Sequence, residues 1–462
     1  MLFLGIVALT GGGSRSDIDS LIVLRPLAVI LLTYALIVSR PGDLRAVRVP
    51  LLWIALLMLL ALVQLIPLPW DLWTQLPQRD HIAQFTQVIG YPEGPRPLSL
   101  DPNRTWNTFF ALVIPLAAVA LVGIQEQSKR QVIIPALMAV GLLSAVLGVF
   151  QSMGGDALHL YAITNSGHPV GLFSNRNHQS IMLLWLLLAI CWQWPLWARK
   201  RKSAAMLVAV PLVSMVALFP LLVLTGSRAG LMLSVPVLLA CVWLTMRGMN
   251  HDVLSANWKR KQPVSRRPLA KILLLILAAG FVLVPVLILT FLSEDQRQTA
   301  LTRLFMTSDI EELRWLYLPI FWQMARDFFP FGSGLGSFEV AFLIYEPAEI
   351  MRLRYLNQAH NDPIQILIEG GAFGALIVVF GLVWLGRRLF VHMRSANAAR
   401  RDMALFLLMS FGIWLLASFV DYPLRTPLAA TLFASLTAML SLLNADDQST
   451  ERQSKPALRE RA

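Results

Sequence analysis

The sequence predicts an all-α integral membrane protein crossing the bilayer about twelve times, with one large outer loop between the ninth and tenth helices. Three observations carry this expectation. First, the 462 residues are 56% hydrophobic and only 14% charged, with a mean hydropathy of +0.62. No soluble domain of this length needs that much apolar surface, whereas a bundle of spans does. Second, apolar runs long enough to span recur along the whole chain. Third, every lysine (Lys129, Lys200, Lys202, Lys259, Lys261, Lys271 and Lys455) falls in one alternating set of loops, and the other set carries arginine alone. Lysine-plus-arginine excess marks the cytoplasmic side. The net charge of +12 therefore sits in short loops between spans, and a nucleic-acid partner is excluded on that ground.

Taken in order, Met1–Thr10 is apolar without a basic n-region, which reads as a short first span or interfacial segment rather than a cleaved signal peptide. Spans are then expected over roughly 19–39, 49–67, 107–124, 131–151, 178–198, 203–224, 229–246, 271–293, 363–386, 403–420 and 424–443. An even total puts both termini on the cytoplasmic side. Trp70 and Trp73, beside Pro67 and Pro69, suit an interfacial aromatic belt. Residues 1–443 form a single polytopic transmembrane domain, and 444–462 form a disordered cytoplasmic tail. Cys191 and Cys241 lie inside apolar runs and read as small packing residues, with no disulfide or metal site implied.

Three outer segments exceed a simple turn: about 68–106, 152–177 and 294–362. Within the last, Asp309–Phe329 has a helical period, with Leu313, Leu316/Tyr317, Ile320, Phe321 and Met324 on one side. Such a helix lies on the membrane surface or packs on the bundle. Lysine-free outer loops suggest planar, bidentate recognition of an anion such as phosphate.

Four constellations could carry chemistry. In Ala359-His360-Asn361-Asp362-Pro363-Ile364-Gln365, Asp362 reads as an N-cap, Pro363 as the first helical residue and Gln365 as the second half of a capping box. His360 and Asn361 then stand just outside a helix N-terminus, where the dipole disfavours imidazolium and attracts anions. A neutral His360 can act as general base, or it is an interfacial residue bonded to loop backbone. In Gly171-Leu-Phe-Ser-Asn175-Arg176-Asn177-His178, Asn and Arg donors converge on another helix start. They form either an anion site or a capping loop with one solvated arginine.

The turn Thr225-Gly226-Ser227-Arg228-Ala229-Gly230 allows close ligand approach through its glycines. Its Arg228 either meets a functional anion or snorkels to lipid phosphate. Phe331-Gly-Ser-Gly-Leu-Gly336 looks like a phosphate loop but lacks the following Lys-Ser/Thr and any strand–helix unit, so it reads as a flexible turn. Glu369, two turns into its span on the Gln365 face, requires a partner, and a structural hydrogen bond is expected. Asp421, close to Arg425 in a short outer turn, is expected to pair with it and is assigned no catalytic role. Arg79, Arg96, Arg297 and Arg303 read as ordinary surface charges. No Asp-x-Asp pair is placed to hold a metal and nucleotide sugar, and metal ligands do not cluster.

In order and spacing these segments resemble the O-antigen ligase and O-antigen polymerase superfamily of bacterial membrane glycosyltransferases. The matching residues are Gly171–His178, Gly226-Ser227-Arg228, Arg314-Trp315, Phe331–Phe338, His360-Asn361 and Glu369-Gly370-Gly371, covering roughly 130–440. The resemblance implies a donor glycan on undecaprenyl pyrophosphate at the periplasmic face of the bacterial inner membrane. It also implies a glycan or lipid acceptor, surrounding membrane lipids, and no cofactor. Carried over by position, Arg176, Arg228 and Arg314 would bind the pyrophosphate, with Asn175, Asn177 and Asn361 as further substrate contacts and His360 as the catalytic base. The lipid pyrophosphate is already activated, so a metal-independent electrostatic route suffices.

The leading expectation is an O-antigen ligase-like transfer to a lipid A-core sugar. A polymerase joining lipid-linked repeat units is the alternative. A transporter for lipid-linked sugars is less favoured, because the charges cluster at the outer span ends rather than deep within the membrane.

Overall fold

The computed structural model describes residues 1–15, 17–90, 93–198, 204–250, 309–348 and 356–443, and over 155–156, 204–208, 248–250 and 309–315 only the backbone. It is mostly helical, with almost no strand. Its main helices are α1 (Leu2–Thr10), α2 (Leu21–Val38), α3 (Arg48–Gln64), α4 (Pro102–Gly123), α5 (Ile133–Gly154), α6 (Arg176–Ala198), α7 (Ala204–Leu224), α8 (Arg228–Asn250), α9 (Asp309–Asp327), α10 (Asp362–Met393), α11 (Ala398–Ala417) and α12 (Pro427–Leu442). Among the described residues, six helices are long and apolar enough to cross a membrane, and Arg48–Gln64, Ala209–Leu224 and Pro427–Leu442 are shorter apolar helices. The expected span over 271–293 and the tail lie outside the described residues.

Apolar residues all round a helix require burial on every side, and α6 answers that pattern. Ile181 to Ala189 are almost wholly inaccessible, and α5, α7, α8 and α11 pack around the helix. On α12 the small residues Ala429, Ala434, Ser435, Ala438 and Ser441 are buried, which lets α4 approach closely. By contrast α2 turns Ile22, Ile30 and Ile37 outward, as a lipid-facing span does. The helix α1 has nine residues, a rise of about 14 Å, and packs through Phe3, Val7 and Ala8 on the main core.

A second apolar cluster caps one end of the bundle. It joins Tyr317, Phe321 and Met324 of α9 to Phe338, Phe342, Ala359, Ile364 and Ile368. The periodicity over Asp309–Phe329 is thus realised as a helix packed on α10. Leu316 departs from the expected face: it is exposed, because Tyr317 takes the inward position.

The helix α10 is broken at Gly371, where φ is 56° and ψ −146°. The Gly-rich segment 331–336 fills the break, so the expected flexible turn is instead a buried structural joint. Ser333 and Gly334 donate their backbone N–H groups to the freed carbonyls of Ile368 (2.8 Å) and Glu369 (2.9 Å), and Ala372 donates to the Pro330 carbonyl at 2.8 Å. Gln64, at the end of α3, donates to the Glu369 carbonyl (3.0 Å) and accepts from Leu335 N–H (2.8 Å). The Ile368 and Glu369 carbonyls and the Ala372 N–H thus find partners outside the helix, as burial demands.

Arg79 corrects another expectation. It is 1% exposed, donates to the carbonyls of Leu98 (2.6 Å), Pro77 (3.1 Å) and Gly332 (3.4 Å), and lies over the Trp73 and Phe328 rings. Burial pushes its guanidinium down to about 10. Arg96 stacks on Trp70 and Trp73. Trp73 is itself buried and donates its indole N–H to the Pro97 carbonyl, so it is an internal anchor rather than part of a lipid belt. Arg297 and Arg303 lie outside the described residues.

Candidate active site

Three helix starts meet at the same end of the bundle. The first is α6. Gly171 (φ 58°) takes a backbone shape that suits glycine, and a Cβ there would collide with Gln179 and Ser144. Gln151 accepts the N–H groups of Val170 (2.9 Å) and Gly171 (2.7 Å), and Ser144 accepts that of Leu172. The loop is thereby fastened to α5. Asn175 accepts the Asn177 N–H at 2.8 Å and shapes the helix start. Asn165 accepts the Arg176 N–H at 2.9 Å, and the Arg176 guanidinium lies 3.2 Å from His168 Nε2.

The second start is α8, whose first residue is Arg228. The preceding Gly226 (φ 63°) stands so close to Arg176 and His168 that its Cβ would lie 3.3 Å and 3.5 Å from their atoms. Ser180 of α6 donates to Ser227 (3.0 Å). The two arginine motifs are therefore neighbours.

The third start is α10. Its N-cap is Asn361, whose side chain accepts the Ile364 N–H (3.0 Å) and donates to the Phe419 carbonyl (2.9 Å). The expected cap, Asp362, instead meets Arg425 at 2.9 Å, a charged partner stronger than one backbone N–H. Gln365 does not close a capping box; it donates to Glu369 at 2.8 Å and accepts the Ala359 N–H. Glu369, 1% exposed, has the structural partners expected of it: Gln365 and the Arg425 guanidinium at 3.5 Å. Burial works against the charge of Arg425, but Glu369 and Asp362 outweigh it.

Asp421 joins the first and third starts. It is 2% exposed and accepts Asn177 Nδ2 on one oxygen (2.7 Å) and His360 Nδ1 (3.2 Å) and Tyr422 N–H (3.0 Å) on the other. The expectation for this turn is thus corrected: Arg425 is held by Asp362 and Glu369, and Asp421 faces His360. The His360 backbone is left-handed (φ 50°), which aims its ring at Asp421 and onto the Tyr422 ring, 4.8 Å away. Because the carboxylate can only accept, Nδ1 carries the proton, and the lone pair of a neutral ring lies on Nε2. That is the tautomer a general base needs.

Of the residues expected at the site, His360 and Asn177 are linked through Asp421, Asn175 holds the Asn177 backbone, and Arg176 adjoins the Arg228 turn. Asn361 is occupied as a cap. The Arg314 side chain lies outside the described residues. Sequence reasoning missed Asp421, Tyr422, Asn165 and His168; the one available signal was an acid in a short turn between two apolar runs, a place where an unpartnered carboxylate is costly.

Residues 213–379 match the family described as O-Antigen ligase. The matched segment runs from α7 through the break in α10 and includes Arg228 and His360, while Arg176, Asn177 and Asp421 lie outside it. No curated protein matches the chain.

Proposed function

We propose that this protein belongs to the O-antigen ligase and polymerase superfamily, whose model its residues 213–379 match, and transfers a glycan from undecaprenyl pyrophosphate to a hydroxyl of a lipid A-core sugar, at the periplasmic face of the inner membrane. The observation that carries this reading is the His360–Asp421 pair, tied through Asn177 to the helix start bearing Arg176, which the Ser180–Ser227 bond joins to the one bearing Arg228.

In the proposed reaction His360 Nε2 takes the proton of the acceptor hydroxyl as its oxygen attacks the anomeric carbon of the donor. The bond between that carbon and the pyrophosphate oxygen breaks, and undecaprenyl pyrophosphate leaves with the electron pair. The proton remains on the imidazole, where Asp421 stabilises the cation. A positioned base contributes roughly 10²- to 10⁴-fold. Charge developing on the leaving pyrophosphate meets Arg176, Arg228 and, from α9, Arg314, together with the positive ends of α6 and α8. Fixed cations and dipoles of this kind stabilise such charge without a metal. Asn177 and Asn175 hold the base side of the site in register, and Asn361 sets where α10 begins.

The test is glycan transfer in proteoliposomes supplied with lipid-linked glycan, for His360→Ala and Arg228→Ala. Both variants should insert normally and lose transfer by about 100-fold or more, the range expected for a base. Near-normal transfer by both would reject the site. A polymerase would use the same donor chemistry on a second lipid-linked repeat unit. In a deletion strain, long unattached chains support the ligase reaction and single repeat units the polymerase reaction.

A further inference from the structure

Besides His360, one more imidazole faces Asp421. His178 is the third residue of α6 and is 0% exposed. Among the described residues, neither of its ring nitrogens has a hydrogen-bond partner. Its Nε2 lies 3.9 Å from Asp421 Oδ1, the same oxygen that receives His360 Nδ1 and Tyr422 N–H. Its ring stands edge-on to Tyr422 (5.4 Å between centroids) and to Phe173 (6.1 Å). A phenylalanine would fill that aromatic slot without the desolvation cost of an unpaired buried imidazole. Closing the gap to Asp421 by about 1 Å would give Nε2 a normal hydrogen bond, a shift within the reach of a small side-chain rotation.

We propose that His178 is a positioning residue of the transfer site, holding the Asp421 carboxylate from inside the bundle and sharing it with His360. The inference rests on the reading of His360 as the base. Two imidazoles on one oxygen divide its negative charge. Donation by His178 weakens the pull of Asp421 on the His360 proton, so His360 stays neutral, and able to accept a proton, to lower pH. Among the described residues, the titratable groups facing His178 are Asp421 and Tyr422 from the turn before α12 and His360 from the start of α10. The cations Arg176 and Arg228 stand at the starts of α6 and α8.

The experiment measures transfer against pH in proteoliposomes for wild type, His178→Phe and His178→Gln, with His360→Ala in parallel. His178→Phe keeps the ring packing and removes the donor. It should lower kcat by about tenfold, a fraction of the base's own contribution, leave KM for the lipid-linked glycan unchanged, and move the acid limb of the profile to higher pH. His178→Gln, whose amide nitrogen can take the place of Nε2, should restore both rate and limb. If His178→Phe fails to insert, His178→Asn, too short to reach Asp421, replaces it with the same expected outcomes. An unshifted acid limb, whether or not the rate falls, overturns the proposal, as does a Gln variant no better than Phe. Retained transfer by His360→Ala would instead defeat the base assignment itself, so the two failures are distinguishable.

Discussion

Replacing Gly371 by alanine should undo the joint between α10 and the segment 330–336, and the cost can be worked from the geometry. Gly371 has φ 56° and ψ −146°, a combination close to glycine-only backbone that costs another residue about 1–3 kcal/mol. The added Cβ would lie 2.1 Å from the Pro330 carbonyl oxygen and 2.7 Å from the Gly332 nitrogen. Both are backbone atoms, so the loop must move. Movement breaks the bonds Ala372 N–H to Pro330, Ser333 N–H to Ile368 and Gly334 N–H to Glu369, each worth about 1 kcal/mol. The total is roughly 4–6 kcal/mol, a large effect for one methyl group.

The assay uses the two free cysteines, Cys191 and Cys241, which are fully buried. A thiol-reactive dye therefore reports unfolding of the bundle in nanodiscs. Gly371→Ala should melt well below wild type. Gly386→Ala, in the same helix with open space around the new methyl, should melt at or slightly above it, since alanine favours a helix by up to about 1 kcal/mol. Equal melting of Gly371→Ala and wild type would show that the joint accommodates a Cβ at this position without loss.

Other outcomes follow from buried polar groups. Arg79→Lys keeps the charge but cannot reproduce a planar fork reaching Pro77, Leu98 and Gly332; it should destabilise the outer segment by about 2–3 kcal/mol, read as a lower melting midpoint, and an unchanged midpoint would argue against an anchoring role. Tyr161 accepts the Gly12 N–H at 2.6 Å, and burial pushes its hydroxyl up to about 12. Its contribution is therefore complete below pH 10, about the value for an unfolded tyrosine, and is lost as pH rises toward 12. Tyr161→Phe should flatten the melting curve against pH between 10 and 12, leaving the part due to Tyr345, which burial also raises; an unaltered alkaline slope would contradict this.

Much of the helical bundle was legible because apolar runs leave few alternatives: α6, α10 and α12 begin within a few residues of their expected starts. The amphipathic period over Asp309–Phe329 likewise gave α9. The candidate site was half legible. Local motifs placed the candidate residues His360, Arg176, Asn177 and Arg228 at helix starts. What joins them was not legible, because Asp421 is 244 residues from Asn177 and 61 from His360 in sequence, and no local pattern encodes such pairing. The Gly-rich segment misled for the same reason. Its glycines serve close approach to other elements, Gly332 to Glu369 and Gly371, Gly334 to Ser99, and Gly336 to Arg104 and Thr108, and flexibility has the same local signature. The Asp362 cap failed because Arg425, 63 residues away, competes for the carboxylate.

In the proposed mechanism His360 and Asp421 act as one unit in transfer. A double-mutant cycle measures this coupling through kcat of His360→Ala, Asp421→Asn and the double variant in proteoliposomes. Asparagine at 421 can accept from Asn177 or His360 but not both, so one charge-assisted bond is lost. At about 1.5–3 kcal/mol that predicts a roughly 10- to 100-fold fall for the single variant. Residues acting as a unit are not additive: the double variant should be no slower than His360→Ala alone. Losses that multiply would show that Asp421 acts independently of His360 and that the pair is not a unit.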